Sequence, residues 1–548
     1  MREFYNFIAS FFRQSPAPFS EFPMIGKKSL FTIRSSYVEK KLSFENHDKT
    51  YYTRIYNDSR KRSLNLVEEN VFQTTFEVLP ANYFRKYNKE SEVDSIFHVS
   101  KMGSFGDLTF KVSNKNEKSN DKTYILNDNN RFISFLGKAG DRIKIDSPDG
   151  VIVTPPIPIK QNIKQKRRLT LLLFVDGLVD RSVLGFDDLR DLMPNTSNFF
   201  NNDFDFRNHY VNSEWTLTSM ASIFSSRYTQ NHGIFDPKKL KTLGNSFEIL
   251  TEYFKKNYYF TLNIGGAGRL SPSWGYIKGF DRTIWKNFMP GQEVISHFME
   301  HERIFNERDK FVFLHFNDLH HNLSIVPDYS VMSNLNPQNL ASMLDPNIKH
   351  EKSVYNSKND DKKMVLIERI KRLDFHLKIL YDYLNTNYLQ NELCVCLFAD
   401  HGQAYLTEES NPLSDARSKA TWLFKSGDRR GEKVNEYTEG VDIFNSVLSD
   451  AGININDNVD GQLPLALGGK SKRHYAFSQS IYPGQTYKAV INCAEGKYIY
   501  ETENLVGNNG EINHENSKVK IEPKMGFDKK ILSKDEIRKL IKDKLSGK

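Results

Sequence analysis

Two apolar runs, Leu169-Thr-Leu-Leu-Leu-Phe-Val175 and Leu393-Cys-Val-Cys-Leu-Phe-Ala399, constrain this chain most, because each ends abruptly on an aspartate. Unbroken apolar runs of this length, bounded by polar residues, read as strands buried on both faces, the habit of parallel sheets covered by helices. In such sheets ligands collect beyond the carboxyl ends of the strands. Asp176-Gly177 and Asp400-His401-Gly402 therefore stand where two strands can aim acidic groups at one place. An aspartate beside a histidine offers oxygen and nitrogen donors to one metal ion, and the glycine lets the backbone turn beneath them. A loop-capping aspartate with a satisfied histidine is the alternative.

From Leu169 onward apolar strands alternate with helical stretches, the pattern of an α/β fold. Leu366, Ile370, Leu373, Leu377, Leu380 and Leu384 repeat at spacings of four and three, giving one apolar helical stripe. That helix leads into the strand that delivers Asp400, a βαβ arrangement. Upstream, Ser29 to Arg34, Ser95 to Ser100, Leu108 to Val112, Arg131 to Leu136, Arg142 to Ile145 and Val151 to Thr154 read as short strands of a small β-sandwich. Near the other end, Tyr475 to Ser478 and Tyr487 to Ile491 read as strands. A last helix starts at Ser533, with Glu536 completing a capping box and a charged face read as solvated. The expected organisation is a β-rich accessory domain over 1–160, an α/β catalytic domain with a mostly parallel sheet over 169–500, and a polar extension over 501–548.

At 548 residues and 39% hydrophobic content the chain can bury a full core and hold more than one domain. Lys plus Arg is 76 against 68 for Asp plus Glu, a net +8 that mildly favours an anionic substrate or surface. The basic residues are dispersed and accompany no nucleic-acid-binding motif, so no nucleic-acid partner is expected. The basic stretch Lys160 to Arg168 follows Pro155-Pro156-Ile157-Pro158 and reads as a solvated linker. Three cysteines, two of them at Cys394 and Cys396 on one strand, suggest no disulfide framework and hence a reducing, cytoplasmic setting. No run of eighteen apolar residues suggests a membrane span. Met1 to Arg13 lacks the apolar core and cleavage site of a signal peptide. Phe4, Ile8, Phe11 and Phe12 share a helical face that either packs on the protein's own surface or makes peripheral membrane contact.

Between the two acidic strand ends lies Glu214-Trp-Thr-Leu-Thr-Ser-Met220, continuing to Ser226-Arg227-Tyr-Thr-Gln-Asn-His232-Gly233. A hydroxyl at the start of a helix gains from the positive end of the dipole, although capping alone also places Ser and Thr there. Taken in order, Asp176, this helix with its Arg227-to-Gly233 tail, Gly279-Phe280-Asp281, the helix around Leu373-Asp374 and Asp400-His401-Gly402 resemble the alkaline phosphatase and sulfatase superfamily over roughly residues 169 to 500.

The resemblance places Thr216 at the nucleophile position. Sulfatases carry a cysteine or serine there, oxidised to formylglycine within Cys-x-Pro-x-Arg, whereas this chain reads Thr216-Leu-Thr-Ser-Met220. Their Asp-Asp pair and Gly-Lys-Trp-His stretch are replaced by Asp176-Gly177 and Gly265-Gly266-Ala267-Gly268-Arg269. The sequence looks more like the lipoteichoic acid synthase and phosphoethanolamine transferase branch. By resemblance, the metal set is Asp176, Thr216, Asp400 and His401 around one divalent ion, Mn, Zn, Mg or Ca. His320 assists the leaving oxygen, with His321 as its rival; Asp318 is either a ligand or structural. Trp274 is a candidate wall for the substrate or ordinary core, and Arg227, Arg269, Arg417 and Lys419 are candidates to hold anionic oxygens. The implied chemistry is metal-assisted displacement at a phosphate ester through a phosphothreonine, with a glycan or lipid-linked polymer as the candidate substrate. Sulfate-ester hydrolysis and a decayed binding scaffold are the alternatives.

Overall fold

The computed structural model describes residues 42–43, 50–55, 75–101, 108–114, 122–126, 132–158, 168–320 except 240, 245, 271–273 and 305–307, and 358–545 except 410, 428 and 525–531. The run Leu169–Val175 is strand β1, in the interior of an eleven-stranded sheet. Seven further strands of this sheet follow it among the described residues: β2 Phe204–Tyr210, β3 Phe260–Ile264, β4 Arg282–Trp285, β5 Lys310–Phe316, β6 Leu393–Phe398, β7 Trp422–Ser426 and β8 Lys433–Glu439. Their spatial order is β4, β3, β5, β1, β6, β7, β2, β8. The five from β4 to β6 run parallel, β7 is reversed between β6 and β2, and β2 pairs parallel with β8.

Every residue of β1, β5 and β6 is buried, which is why β1 and β6 read as continuous apolar runs. Successive side chains alternate between two cores: Leu171, Leu173 and Val175 enter one, Leu172 and Phe174 the other. The first core is closed by helices α3, Gly291–Ile304, and α4, Asp360–Asn387. All six residues of the α4 apolar stripe are buried in it, each such side chain contributing about 1.5–3 kcal/mol. On the opposite face α1, Thr216–Ser225, α2, Leu250–Lys256, and α5, Asp442–Asp450, pack Met220, Phe224, Phe254 and Phe444 into an aromatic-rich core. This is the fold class expected from the sequence.

The β-rich N-terminal region folds around Phe97, Phe110, Phe135 and Val99. The two strands expected at Arg142 to Ile145 and Val151 to Thr154 are one, Asp141–Val153. The intervening polar residues bulge instead of turning: Ser147 Oγ donates to the Gly150 carbonyl, and the partner strand Asn82–Glu90 shifts register between Phe84 and Lys86. Phe76–Pro80 pairs antiparallel with β4 and carries Thr50–Ile55 beyond it, so strands of the N-terminal region extend the central sheet. The expected strand at Ser29 to Arg34 and the Phe4 to Phe12 face lie outside the described residues.

The boundary expected at residue 500 falls inside a strand, Gly496–Leu505, of a four-stranded antiparallel sheet with Tyr475–Ser480, Thr486–Cys493 and Lys518–Pro523. The terminal helix Lys534–Leu545 buries Ile537 and Ile541 against this sheet's core. Its capping box is present: the Ser533 N–H donates to Glu536 at 2.7 Å, and the Glu536 N–H to Ser533 Oγ at 3.3 Å. No helix among the described residues is long and apolar enough to cross a membrane.

Candidate metal and catalytic centre

The parallel register of β1 and β6 pairs Leu169 with Leu393 and Phe174 with Phe398; continued to the strand ends, it sets Asp176 opposite Asp400. Donor atoms of Asp176, Asp400 and His401 lie within 4.8 Å of one another, and all three residues are buried. His401 Nε2 is 3.2 Å from Asp400 Oδ2 and 3.8 Å from Asp176 Oδ1. The backbone holds the two ends in place: the Asp176 N–H donates to Phe316 at the end of β5, and the Gly177 N–H donates to Asp400 Oδ1 at 3.2 Å. Gly177 sits at φ +79°, a conformation that favours glycine. Gly402 is required for a different reason than the turn expected of it: a Cβ there would stand 2.2 Å from the Ala416 carbonyl oxygen.

Thr216 begins α1, so its hydroxyl stands at the positive end of that helix. Oγ1 lies 3.1 Å from His401 Nε2. His401 Nδ1 is 2.9 Å from the Gly402 carbonyl, which can only accept, so Nδ1 carries the proton and Nε2 turns a free lone pair toward Thr216 and the carboxylates. Burial pulls the His401 pKa down to about 3, which keeps this ring neutral.

Burial pushes the Asp176 carboxyl upward, but the histidines around it, His320 foremost, outweigh burial and hold it below the usual carboxylate range. Burial and then the charge of Asp176 drive Asp400 well above the usual range. Both oxygens of Asp176 and Oδ2 of Asp400 are buried without a hydrogen-bond partner among the described residues. Adjacent buried carboxylates in this state are costly unless a cation compensates them. Two carboxylates and an unprotonated imidazole nitrogen suit one divalent ion, which Asp176, Asp400 and His401 could hold, with the Thr216 hydroxyl beside them.

His320 flanks the cluster, half-buried against Phe288, with Nδ1 unpartnered among the described residues. His321 lies outside the described residues. Asp318 is not among the donors grouped around Asp176; its Oδ1 receives the Gly291 N–H at 3.3 Å at the start of α3. Arg417, expected to hold anionic oxygens, is buried with its guanidinium committed to the carbonyls of Gly402 and Glu214. Lys419 pairs with Asp180 at 3.4 Å and donates to Ser182, and Arg227 lies over Phe247, 3.9 Å from Asp457. Neither points into the donor cluster. Trp274 has no exposed surface and packs in the aromatic core, so its placement is that of a core residue and not of a substrate wall.

Three residues escaped the sequence reading. His315, on β5, stands 3.7 Å from Asp176 Oδ2, and neither of its ring nitrogens has a hydrogen-bond partner among the described residues. A histidine interrupting the apolar run Phe311 to Phe316 was the available signal. Gln403 donates to the carbonyls of Gly177 and Leu319, tying the two acidic turns to the β5 loop. Glu214 is buried, receiving the hydroxyls of Ser213 and Ser480.

A parallel sheet presenting two carboxylates and an imidazole at its strand ends, with a hydroxyl at a helix start beside them, is an α/β fold with a candidate metal site at the carboxyl ends of its strands. Residues 168–453, just over half of the chain, match the family model described as Sulfatase, and the chain belongs to that family. It is thus an ester hydrolase of the alkaline phosphatase superfamily, whose members depend on metal ions. Among solved structures it is similar to a phosphonate monoester hydrolase from Silicibacter pomeroyi, with 15% identity over 66% of this chain and 90% of that one, at a TM-score of 0.49. A protein of the alkaline phosphatase superfamily from Vibrio parahaemolyticus aligns at 15% identity over 70% and 88% of the two chains, at 0.46. The 2-O GAG sulfatase BT1596 aligns at 15% over 70% and 92%, at 0.49. No curated protein matches the chain.

Proposed function

We propose that this enzyme cleaves or transfers a phosphate ester, with the Thr216 hydroxyl as nucleophile. The observation that carries the reading is the position of Oγ1, at the start of α1 and 3.1 Å from the unprotonated Nε2 of His401. The family's alternative nucleophile, formylglycine, is closed to a threonine.

A divalent ion at this site, when bound, lowers the pKa of a neighbouring hydroxyl and offsets charge on the ester oxygens. Thr216 supplies an oxygen already favoured as an anion by the dipole of α1. Its attack forms a threonine oxygen to phosphorus bond and breaks the bond to the leaving oxygen, which takes a proton from His320. Water or an acceptor hydroxyl then attacks phosphorus, passes a proton to His320 and releases Thr216. The threonine and the Gly265 to Asp281 segment support the phosphodiesterase, lipoteichoic acid synthase and phosphoethanolamine transferase branches, with one divalent ion, Mn, Zn, Mg or Ca, and a glycan or lipid-linked substrate. Cleavage of a sulfate ester by the same unmodified hydroxyl is a second reading, favoured by the match to the Sulfatase model.

The test is turnover of nitrophenyl phosphate, bis-nitrophenyl phosphate and nitrophenyl sulfate by the purified chain with Mn, Zn, Mg or Ca added, beside Thr216→Ala. Phosphate turnover that falls by about a thousandfold or more in the variant is expected. Turnover that survives the substitution removes Thr216 as nucleophile, a preference for the sulfate overturns the phosphate assignment, and inactivity with no bound ion supports a scaffold.

A further inference from the structure

We infer that Arg269, Trp215 and Tyr482 form a subsite beside Thr216 for a second anionic group on the substrate, carried by a sugar-type ring. The inference rests on Thr216 being the reacting hydroxyl and specifies what lies next to the ester it attacks.

Arg269 sits on the single helical turn Gly268–Leu270, which follows β3 and packs against α1. Its guanidinium carbon lies 5.8 Å from the centroid of the Trp215 ring, within the range of a cation–π contact. The Trp215 and Tyr482 rings are 6.0 Å apart at 56°, two faces of an aromatic corner, and both residues are only half-buried. Trp215 directly precedes Thr216 in extended backbone, so the corner is fixed one residue from the reacting oxygen.

The half-buried guanidinium differs from those of the fully buried arginines. Arg417 is bonded to two carbonyls, Arg473 to Glu439 and Asp442, and Arg282 to Glu77. Arg269 has no carboxylate partner among the described residues, and its Nη1 is buried without a hydrogen bond. Trp215 Nε1 is likewise buried and unpartnered among the described residues, a second donor at the same corner. Burial pulls the Arg269 pKa down and the neighbouring Tyr482 opposes it. A planar guanidinium with unmet N–H groups matches a phosphate, sulfate or carboxylate, while aromatic faces accept the C–H face of a sugar ring.

Tyr482 adds a topological point. It follows the strand Tyr475–Ser480, in the C-terminal sheet and beyond residues 168–453 that match the family model. The corner is therefore assembled across two parts of the chain. The unmatched part supplies one wall beside the reacting group.

The experiment uses the full-length Thr216→Ala protein with manganese present, so that binding is read without turnover. Glucose 1,6-bisphosphate and glucose 1-phosphate are titrated by calorimetry. The bisphosphate is expected to bind about tenfold more tightly or better, with that preference lost in Arg269→Gln and partly kept in Arg269→Lys. Tyr482→Ala is expected to weaken both ligands several-fold, and serves as the second variant if Arg269→Gln does not melt as a folded protein. Equal affinity for the two sugars, a preference that survives Arg269→Gln, or unchanged affinity in Tyr482→Ala overturns the subsite. The nitrophenyl ester assays judge Thr216 separately, so either reading can fail without the other.

Discussion

Arg417 donates through Nη1 to the carbonyl of Gly402 at 2.8 Å, the same oxygen that receives Nδ1–H of His401 at 2.9 Å. Its other terminal nitrogen donates to the carbonyl of Glu214, two residues before Thr216. One buried guanidinium thus fixes the tautomer-setting acceptor of the histidine and the approach to the nucleophile helix. Lysine, a single point donor, cannot span both carbonyls. Arg417→Lys is expected to lower divalent-ion affinity by about 10- to 100-fold, the usual cost of disturbing a ligand's supporting bond. Calorimetric titration with manganese checks this. A loss of melting temperature with unchanged ion affinity would reduce Arg417 to a structural strut.

Asp176 and Asp400 make the ion-free protein carry two adjacent buried carboxylates. A divalent ion at a hundred times its Kd should stabilise the fold by about 3 kcal/mol, and a chelator should remove that gain. Asp400→Asn removes one of the facing charges. Its melting temperature in chelator is expected to equal or exceed that of the unsubstituted chain, while the rise on adding manganese disappears. An Asp400→Asn protein that is still stabilised by manganese to the full extent would place the ion elsewhere.

The parts of this centre that were legible in the sequence are those that local patterning controls. The runs ending at Asp176 and Asp400 are apolar throughout because β1 and β6 are covered on both faces, and a parallel register then brings the two aspartates together. Arg417 and Lys419 show where that logic stops. They lie two residues apart around the short helix Asp415–Ser418, yet one is buried under the Gly402 carbonyl and the other pairs with Asp180. Charge and spacing are the same for both; only the packing of that helix against the strand ends separates them. Trp274 and Trp215 invert in the same way: the tryptophan that looked like a wall is core, and the one beside Thr216 faces the guanidinium of Arg269. His315 was hidden because its partner, Asp176, comes from a strand far away in sequence.

Glu293, at the start of α3, receives the Thr75 hydroxyl at 2.9 Å and pairs with Lys286, so it joins the strand Phe76–Pro80 to the catalytic unit. Burial pushes its carboxyl up, but hydrogen bonds from His297, Lys286 and Thr75 prevail and hold it at about 2. A carboxylate whose folded pKa lies below its ordinary value contributes stability that is fully present above the ordinary value and is lost as pH falls toward the folded one. Glu293→Gln should therefore lower the urea midpoint at pH 7, with the gap to the parent chain narrowing as pH falls from about 4.5 toward 2. A gap that stays constant over that window would mean that the substitution acts through packing and not through the charge.

Asp374, in the middle of α4, is buried and accepts four bonds from the start of the short helix Pro194–Phe199. These come from the N–H and side-chain amide of Asn195 at 2.9 Å each, and from the N–H and hydroxyl of Thr196 at 2.8 and 2.6 Å. The carboxylate thus caps a helix on a different segment, where the dipole favours negative charge. Asp374→Asn keeps the shape but turns an amide NH2 toward those donors. The expected cost is about 2 kcal/mol, seen as a lower urea midpoint at unchanged m-value. Manganese affinity should not change, because Asp374 is not among the donors gathered around Asp176. That combination separates it from Arg417, whose replacement is read first in ion binding, and parallel titrations of the two variants compare them directly.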